Sequence, residues 1–282
     1  MNKNNIPHIE KILKKEKCVA MIAPSFAAEF DYPAIIQQLK DLGFDKVVEL
    51  TFGAKMVNRE YHEKLKKNKK LSIASPCPGI IKTILEKYPK YEKNILCIDS
   101  PMIAMGKICK KYYPKHKIIF ISPCHFKKIE AEKTEFVDYV IDYLQLRDLF
   151  LKYNIKKKKG NFLFDKFYND YTKIYPLAGG LGKTAHLKGI LKKEEIVAID
   201  GIKKVMCWLD NPNPNIKFLD VLFCAGGCIG GPCTNKKLTI LQKRKRILDY
   251  LEKSKSEDIP EDRKGLIKKA EGIKFSGKCW FK

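Results

Sequence analysis

The sequence predicts an α/β protein built on mostly parallel sheet. Two observations lead there. From residue 17 to residue 154, short apolar stretches alternate with longer ones whose apolar residues fall at helical spacing, the signature of strand–helix–strand units. In addition, four apolar stretches run into loops of proline, glycine, serine and cysteine: "APS" (23–25), "SPCPG" (75–79), "SPC" (122–124) and "LFCAGGC" (222–228). Ligands of parallel sheets lie beyond the carboxyl ends of the strands, so chemistry is expected at these loops.

The elements follow in order. "KCVAMIAP" (17–24) reads as a short buried strand ending in a loop, and "YPAIIQQLKDLGF" as a helix stopped by Gly43. "KVVELT" is a second strand, and a polar helix runs from "FGAKMV" through Lys70. "LSIASPCPG" passes from strand into loop, and "IIKTILEKYP" is a helix closed by Pro89. "NILCIDSP" and "MIAMGKICKKYYP" repeat strand, loop and helix, as do "KIIFISPC" and "HFKKIEAEKTEF". "VDYVIDY" is a strand and "LQLRDLFLKYN" a helix. The lysine run at 156–159 marks a surface loop, and residues 239–282 read as a basic, mostly helical tail of little chemical content.

Composition narrows the function classes. The chain has 282 residues and a net charge of +24. Lysine carries that charge, in runs such as "KLKKNKK" and "NIKKKKG", whereas a nucleic-acid groove interleaves arginine and aromatics. Solvated lysine faces are expected, nucleic acid is not, and long-range attraction favours an acidic protein partner. No apolar run approaches the ~18 residues of a membrane span, and the amino terminus lacks the apolar stretch of a signal peptide. A cytoplasmic protein is expected, and in that compartment its ten cysteines argue against a disulfide framework. Cys18, Cys97, Cys109 and Cys207 read as ordinary buried thiols. His8, His62, His116 and His186 read as surface or capping residues.

Cys77, Cys124, Cys224 and Cys228 all fall at strand ends. Four thiolates on one edge of a sheet can converge on one site. Structural zinc draws on close C-x2-C pairs; this chain has none, which also removes a radical-SAM cluster. Scattered cysteines flanked by proline and glycine suit an iron–sulfur cubane, whose sulfides accept backbone N–H bonds where small residues let the main chain approach. The glycines of "FCAGGCIGGP" (223–232) are expected to make that room.

Three stretches carry a family resemblance: "ASPCPGI" (74–80), "SPCHFKKIE" (122–130) and "DVLFCAGGCIGGP" (220–232). With "LGFDKVVELTFGA" (42–54) and "PLAGGLGKTAH" (176–186), they are similar to segments of the catalytic domain of the iron-iron (FeFe) hydrogenases, over most of residues 17–235. The resemblance implies two lobes of twisted, mostly parallel sheet with the cluster site between them, and an H-cluster domain over residues 1–238. It implies a 4Fe-4S cubane held by Cys77, Cys124, Cys224 and Cys228. Cys228 would bridge to a di-iron subcluster bearing CO, cyanide and a dithiolate. Lys127 matches the lysine that hydrogen-bonds one cyanide, and Ala23, Pro24 and Ser25 match the loop that cradles the other. Glu130 completes the second signature; away from that context it and Lys127 would be an ordinary helix-surface ion pair. H-cluster maturases and ferredoxin or another acidic electron carrier follow as partners, and a signalling partner would read out a sensor.

The departures point to a divergent, sensory branch. Pro76 stands where productive members carry a proton-passing cysteine, and Glu60, Tyr61 and Glu63 match the rest of that relay poorly. Ser122 and Leu222 replace methionines that pack the di-iron pocket, and Asp220 replaces a glutamate. No ferredoxin-like C-x2-C-x2-C-x3-C-P run is present. His125 reads as a hydrogen-bonding neighbour of the cluster, and Cys233 as an inert thiol beside it. Slow hydrogen activation or hydrogen sensing is therefore expected. A non-catalytic 4Fe-4S protein for electron transfer or cluster assembly is the alternative.

Overall fold

Parallel pairing needs strands buried on both faces, and the apolar stretches supply them. A computed structural model describes residues 6–282 except 69, 278, 280 and 282. In chain order its elements are α1 (Ile6–Lys15), β1 (Cys18–Ile22), α2 (Ala34–Asp41), β2 (Lys46–Glu49), α3 (Thr51–Lys67), β3 (Ser72–Ile73), α4 (Pro78–Lys87), α5 (Pro101–Tyr112) and β4 (Lys117–Ser122). There follow α6 (Phe126–Glu132), β5 (Tyr139–Asp142), α7 (Tyr143–Lys152), α8 (Gly180–Thr184), β6 (Ile196–Asp200), α9 (Ile202–Asp210), β7 (Phe218–Leu222) and α10 (Ile240–Lys255).

The strands form two all-parallel sheets, one ordered β2-β1-β4-β5 and the other β3-β7-β6. In β1 every residue is buried, and the two-residue period divides them between two cores. Val19 and Met21 pack with the α3 and α5 side, while Cys18, Ala20 and Ile22 pack with α1, α2 and α7. A third core joins Ile73, Leu219 and Val221 of the small sheet to Ile80, Ile81 and Ile84 of α4 and to Val205 and Leu209 of α9. The expected two-sheet α/β architecture is present.

Several sequence readings are corrected. "NILCIDSP" is not a strand: only Ile95 and Ile98 bridge, to Ile73 and Ser276. The 3-10 turn Pro89–Asn94 before it and the Ser100 cap of α5 after it leave too few extended residues. β6 and α9 were not anticipated; β6 carries the short apolar run "IVAI" but is only half-buried, at the edge of the small sheet. Cys207 is exposed, and Cys97 is joined to Cys279 by a disulfide with Cα atoms 4.8 Å apart. The described residues of 239–281 contact the body. Arg246 pairs with Asp31 at 2.7 Å, Tyr250 donates to Glu49 at 2.9 Å, and Ile247 is fully buried. No helix among the described residues is long and apolar enough to cross a membrane.

Candidate metal centre

The loops at the carboxyl ends of both sheets face one another. After β1, Ala23 opens the 3-10 turn Pro24–Ala28. The Tyr143 hydroxyl fixes this loop, lying 2.7 Å from Ser25 Oγ and donating to Ala23 O at 3.2 Å. After β3, Cys77 caps α4 ahead of Pro78, whose missing N–H costs nothing in the first turn. Ser122, Pro123 and Cys124 leave β4, and Leu222 ends β7 before Cys224 and Cys228. Together Ala23, Pro24, Ser25, Pro76, Cys77, Ser122, Cys124, Lys127, Leu222 and Cys228 line one apolar cavity of about 90 Å³. Cys224 lies just outside it.

The four sequence-predicted cysteines meet here. Burial pushes every thiol upward, Cys124 to about 12 and Cys224 to about 11, and the neighbouring thiols add to this at Cys124, Cys224 and Cys228. Cys77 is raised chiefly by burial, although the Phe223 N–H points at its sulfur from 3.5 Å. Such a group does not ionise without a compensating cation. Among the described residues, these four sulfurs are not gathered at the spacing a single ion needs. A multi-iron cluster meets both conditions: it needs several separated thiolates and stabilises their charge. The donor set fits.

The glycines have a different role from the one expected. Gly226 and Gly227 adopt φ of +83° and +74°, which side-chain-bearing residues rarely adopt. A Cβ on Gly226 would strike Ile240, and one on Gly227 would strike the Pro176 carbonyl. They bring the Cys224–Cys228 loop against α10 and the Pro176 segment; the room they create is filled by protein.

Lys127 and Glu130 form an ion pair, but a buried one rather than a surface pair. Lys127 Nζ also donates to Pro76 O at 3.0 Å and lines the cavity. Burial raises the Glu130 pKa despite the Lys127 charge beside it. Ser122 Oγ, buried at the cavity wall, has no hydrogen-bond partner. A buried hydroxyl left unpaired costs about 1–3 kcal/mol, so the wall is made for a guest that accepts a hydrogen bond. Asp220 is buried behind the third loop, accepts the Gly182 N–H at 2.9 Å, and is pushed to about 6 by burial.

On the Pro76 side, Tyr61 takes the Ser75 N–H at 2.7 Å, its hydroxyl lies 2.8 Å from Ser75 Oγ, and Ser75 Oγ donates to Ile98 O at 3.0 Å. These groups satisfy one another and include no carboxylate. Glu60 is instead engaged by Ser276 at 2.5 Å, and Glu63 is exposed.

Residues 16–232 match the family described as iron only hydrogenase large subunit, C-terminal domain. The chain belongs to that family. Among iron-hydrogenase relatives, it is 29% identical over 275 residues to the NADP-reducing hydrogenase subunit HndD of Solidesulfovibrio fructosivorans, covering 74% of this chain and 47% of that one. It is 24% identical over 293 residues to iron hydrogenase 1 of Clostridium pasteurianum, covering 79% and 51% respectively. The chain thus spans about half the length of these curated relatives. The solved structure of a Chlamydomonas reinhardtii HydA1 FeFe-hydrogenase variant superimposes with a TM-score of 0.69 at 14% identity, covering 93% of this chain and 90% of that one. An FeFe-hydrogenase structure concerned with oxygen modification of its two-iron subcluster gives the same TM-score at 16% identity, with the same coverage. The iron-only hydrogenase fold and an iron–sulfur function of that family follow.

Proposed function

We propose that this iron-only hydrogenase domain carries an H-cluster and uses it to activate hydrogen slowly or to sense it. Cys77, Cys124, Cys224 and Cys228 would hold the cubane, with Cys228 shared with a di-iron subcluster in the cavity. When bound, that group supplies an open iron at which H2 is split into two protons and two electrons. The observation that carries the reading is the cavity's polar equipment: the Lys127 ammonium and the unpaired Ser122 hydroxyl, both placed on an otherwise apolar wall. A fixed ammonium suits an anionic ligand such as cyanide, and the Ala23–Pro24–Ser25 loop, held by Tyr143, gives its part of the wall a fixed shape.

Pro76 sets the rate. It offers no proton, and the Tyr61–Ser75–Ile98 chain beside it ends on a backbone carbonyl, so proton delivery is slower by about 10²–10⁴ than through a placed acid. Electrons would arrive from an outside carrier, and the excess positive charge favours an acidic one such as a ferredoxin. Assembly would need the H-cluster maturases, and a sensor would need a partner that reads the cluster state.

Pro76 and Leu222 also favour a second reading, a protein that keeps the cubane alone for electron transfer or cluster assembly. Infrared spectra of protein from a maturase-competent anaerobic host separate the two. The H-cluster reading expects CO and cyanide stretching bands in the native protein, and their loss in Lys127→Ala with the cubane EPR signal intact. A native protein showing only the cubane signal establishes the second reading.

A further inference from the structure

A second constellation stands just outside the cysteine site. His125 follows Cys124, Asp142 ends β5 and caps α7, and Cys233 lies beyond the glycine loop. One ligand atom from each lies within 4.8 Å of the others. Through the same ring nitrogen, His125 Nδ1 is 3.6 Å from Cys233 Sγ and 3.9 Å from Asp142 Oδ2. We propose that His125, Asp142 and Cys233 form a mononuclear metal site for a zinc-class divalent ion.

The donor chemistry agrees, and the spacing is met after a small movement of the exposed His125 side chain. Thiolate, imidazole and carboxylate are the three donor types zinc takes, and bonds of about 2.0–2.3 Å in a tetrahedron place donors about 3.3–3.8 Å apart. The four cysteines next door lack that spacing, so the two sites select different occupants. Two of the donors are held rigidly. Cys233 is wholly buried, and Asp142 is fixed by the Gln145 N–H on Oδ1 at 3.0 Å and by Lys128 Nζ on Oδ2 at 2.7 Å. A carboxylate has about four acceptor sites, so these bonds leave room for a metal, and such outer partners are what orient metal-bound carboxylates. His125 is the free arm. Its side chain is 59% exposed, so it can swing, admit the ion from solvent and leave the fourth position to water. Binding replaces the Cys233 proton, which passes to solvent. Burial argues against the competing use of the same three side chains, a nucleophilic thiol, because a substrate cannot reach Cys233.

The ion would join the turn after β4, the end of β5 and the segment beyond Cys228, and so brace the outer wall of the cysteine site. The inference stands apart from the H-cluster reading. Iron-loaded protein is equilibrated anaerobically with micromolar zinc, dialysed, and assayed for both metals, with X-ray absorption at the zinc edge. The expected result is about one zinc per chain with a single sulfur neighbour, falling at least tenfold in His125→Ala and in Cys233→Ser. Substoichiometric zinc in the native protein, zinc surrounded by four sulfurs, or zinc retained by either variant would overturn it.

Discussion

At Ser122, where the sequence resemblance leads one to expect a methionine, the physics of the cavity wall is that of a hydroxyl. A thioether only fills space, whereas the unpartnered Ser122 hydroxyl has a proton to donate. If the di-iron unit occupies the cavity, Ser122→Ala removes one donor to it, and at least one CO or cyanide band shifts while cubane EPR stays constant; superimposable infrared spectra would show that the hydroxyl faces nothing. Asp220 presents a different single-residue effect. Its pKa is raised by burial from 3.8 to about 6, so the protonated carboxyl belongs to the fold. The stability this gives is full below the unfolded value and is lost as pH rises through the folded one. Asp220→Asn stays neutral and can still accept the Gly182 N–H. Urea unfolding should therefore show the variant more stable at pH 7.5, by up to about 3 kcal/mol, with the gap closing toward pH 4. A pH-independent difference would contradict this assignment.

Among the elements, α4 does most to position the metal centre. It begins at Cys77 and presents Gly79 to two rings, Phe126 just after Cys124 and Phe223 just before Cys224, which meet edge to face with centroids 5.0 Å apart. A Cβ at Gly79 would lie 2.8 Å from Phe126 and 2.9 Å from Phe223. Gly79→Ala thus displaces the supports of two proposed ligands, Cys124 and Cys224, at once. It should cost about 1–3 kcal/mol, as overpacking does, and lower the iron retained per chain after desalting; full iron content with native melting would show that the rings yield freely. This helix was readable in advance from the apolar spacing of "IIKTILEKYP", but it begins two residues earlier, at Pro78, which reads as loop in the sequence. The contact of Gly79 with two rings from other loops was not, since nothing local distinguishes a glycine kept for packing from one kept for a ligand.

Across the whole molecule, charge and closure dominate. The excess of +24 acts over a Debye length of ~10 Å at 0.1 M salt. Reduction of the cluster by an acidic carrier should slow at least tenfold between about 20 and 300 mM salt, the mark of steered association. A rate insensitive to salt in stopped-flow experiments would mean that the lysine faces only solvate. Closure comes from α10 and the segment before it. Beyond the α10 contacts, Glu29 receives the Asn235 N–H at 2.8 Å and the Arg147 guanidinium at 2.7 Å, tying the segment after Cys233 to the first sheet. The tail looked chemically empty because the buried members of α10, Lys243, Ile247, Tyr250 and Ser254, are spaced among exposed lysines.

The amino-acid order alone determined the strand–helix alternation, the placing of cysteines at strand ends and the family motifs, because these are properties of short contiguous stretches and of residue chemistry. Tertiary structure alone decided which side chains share a space. Lys127 lies beneath Pro76 rather than on a surface, Ser122 is left without a partner, Cys97 meets Cys279, and Cys233 meets His125 and Asp142. Each of these depends on residues apart in sequence, and only the tertiary fold decides which of them meet.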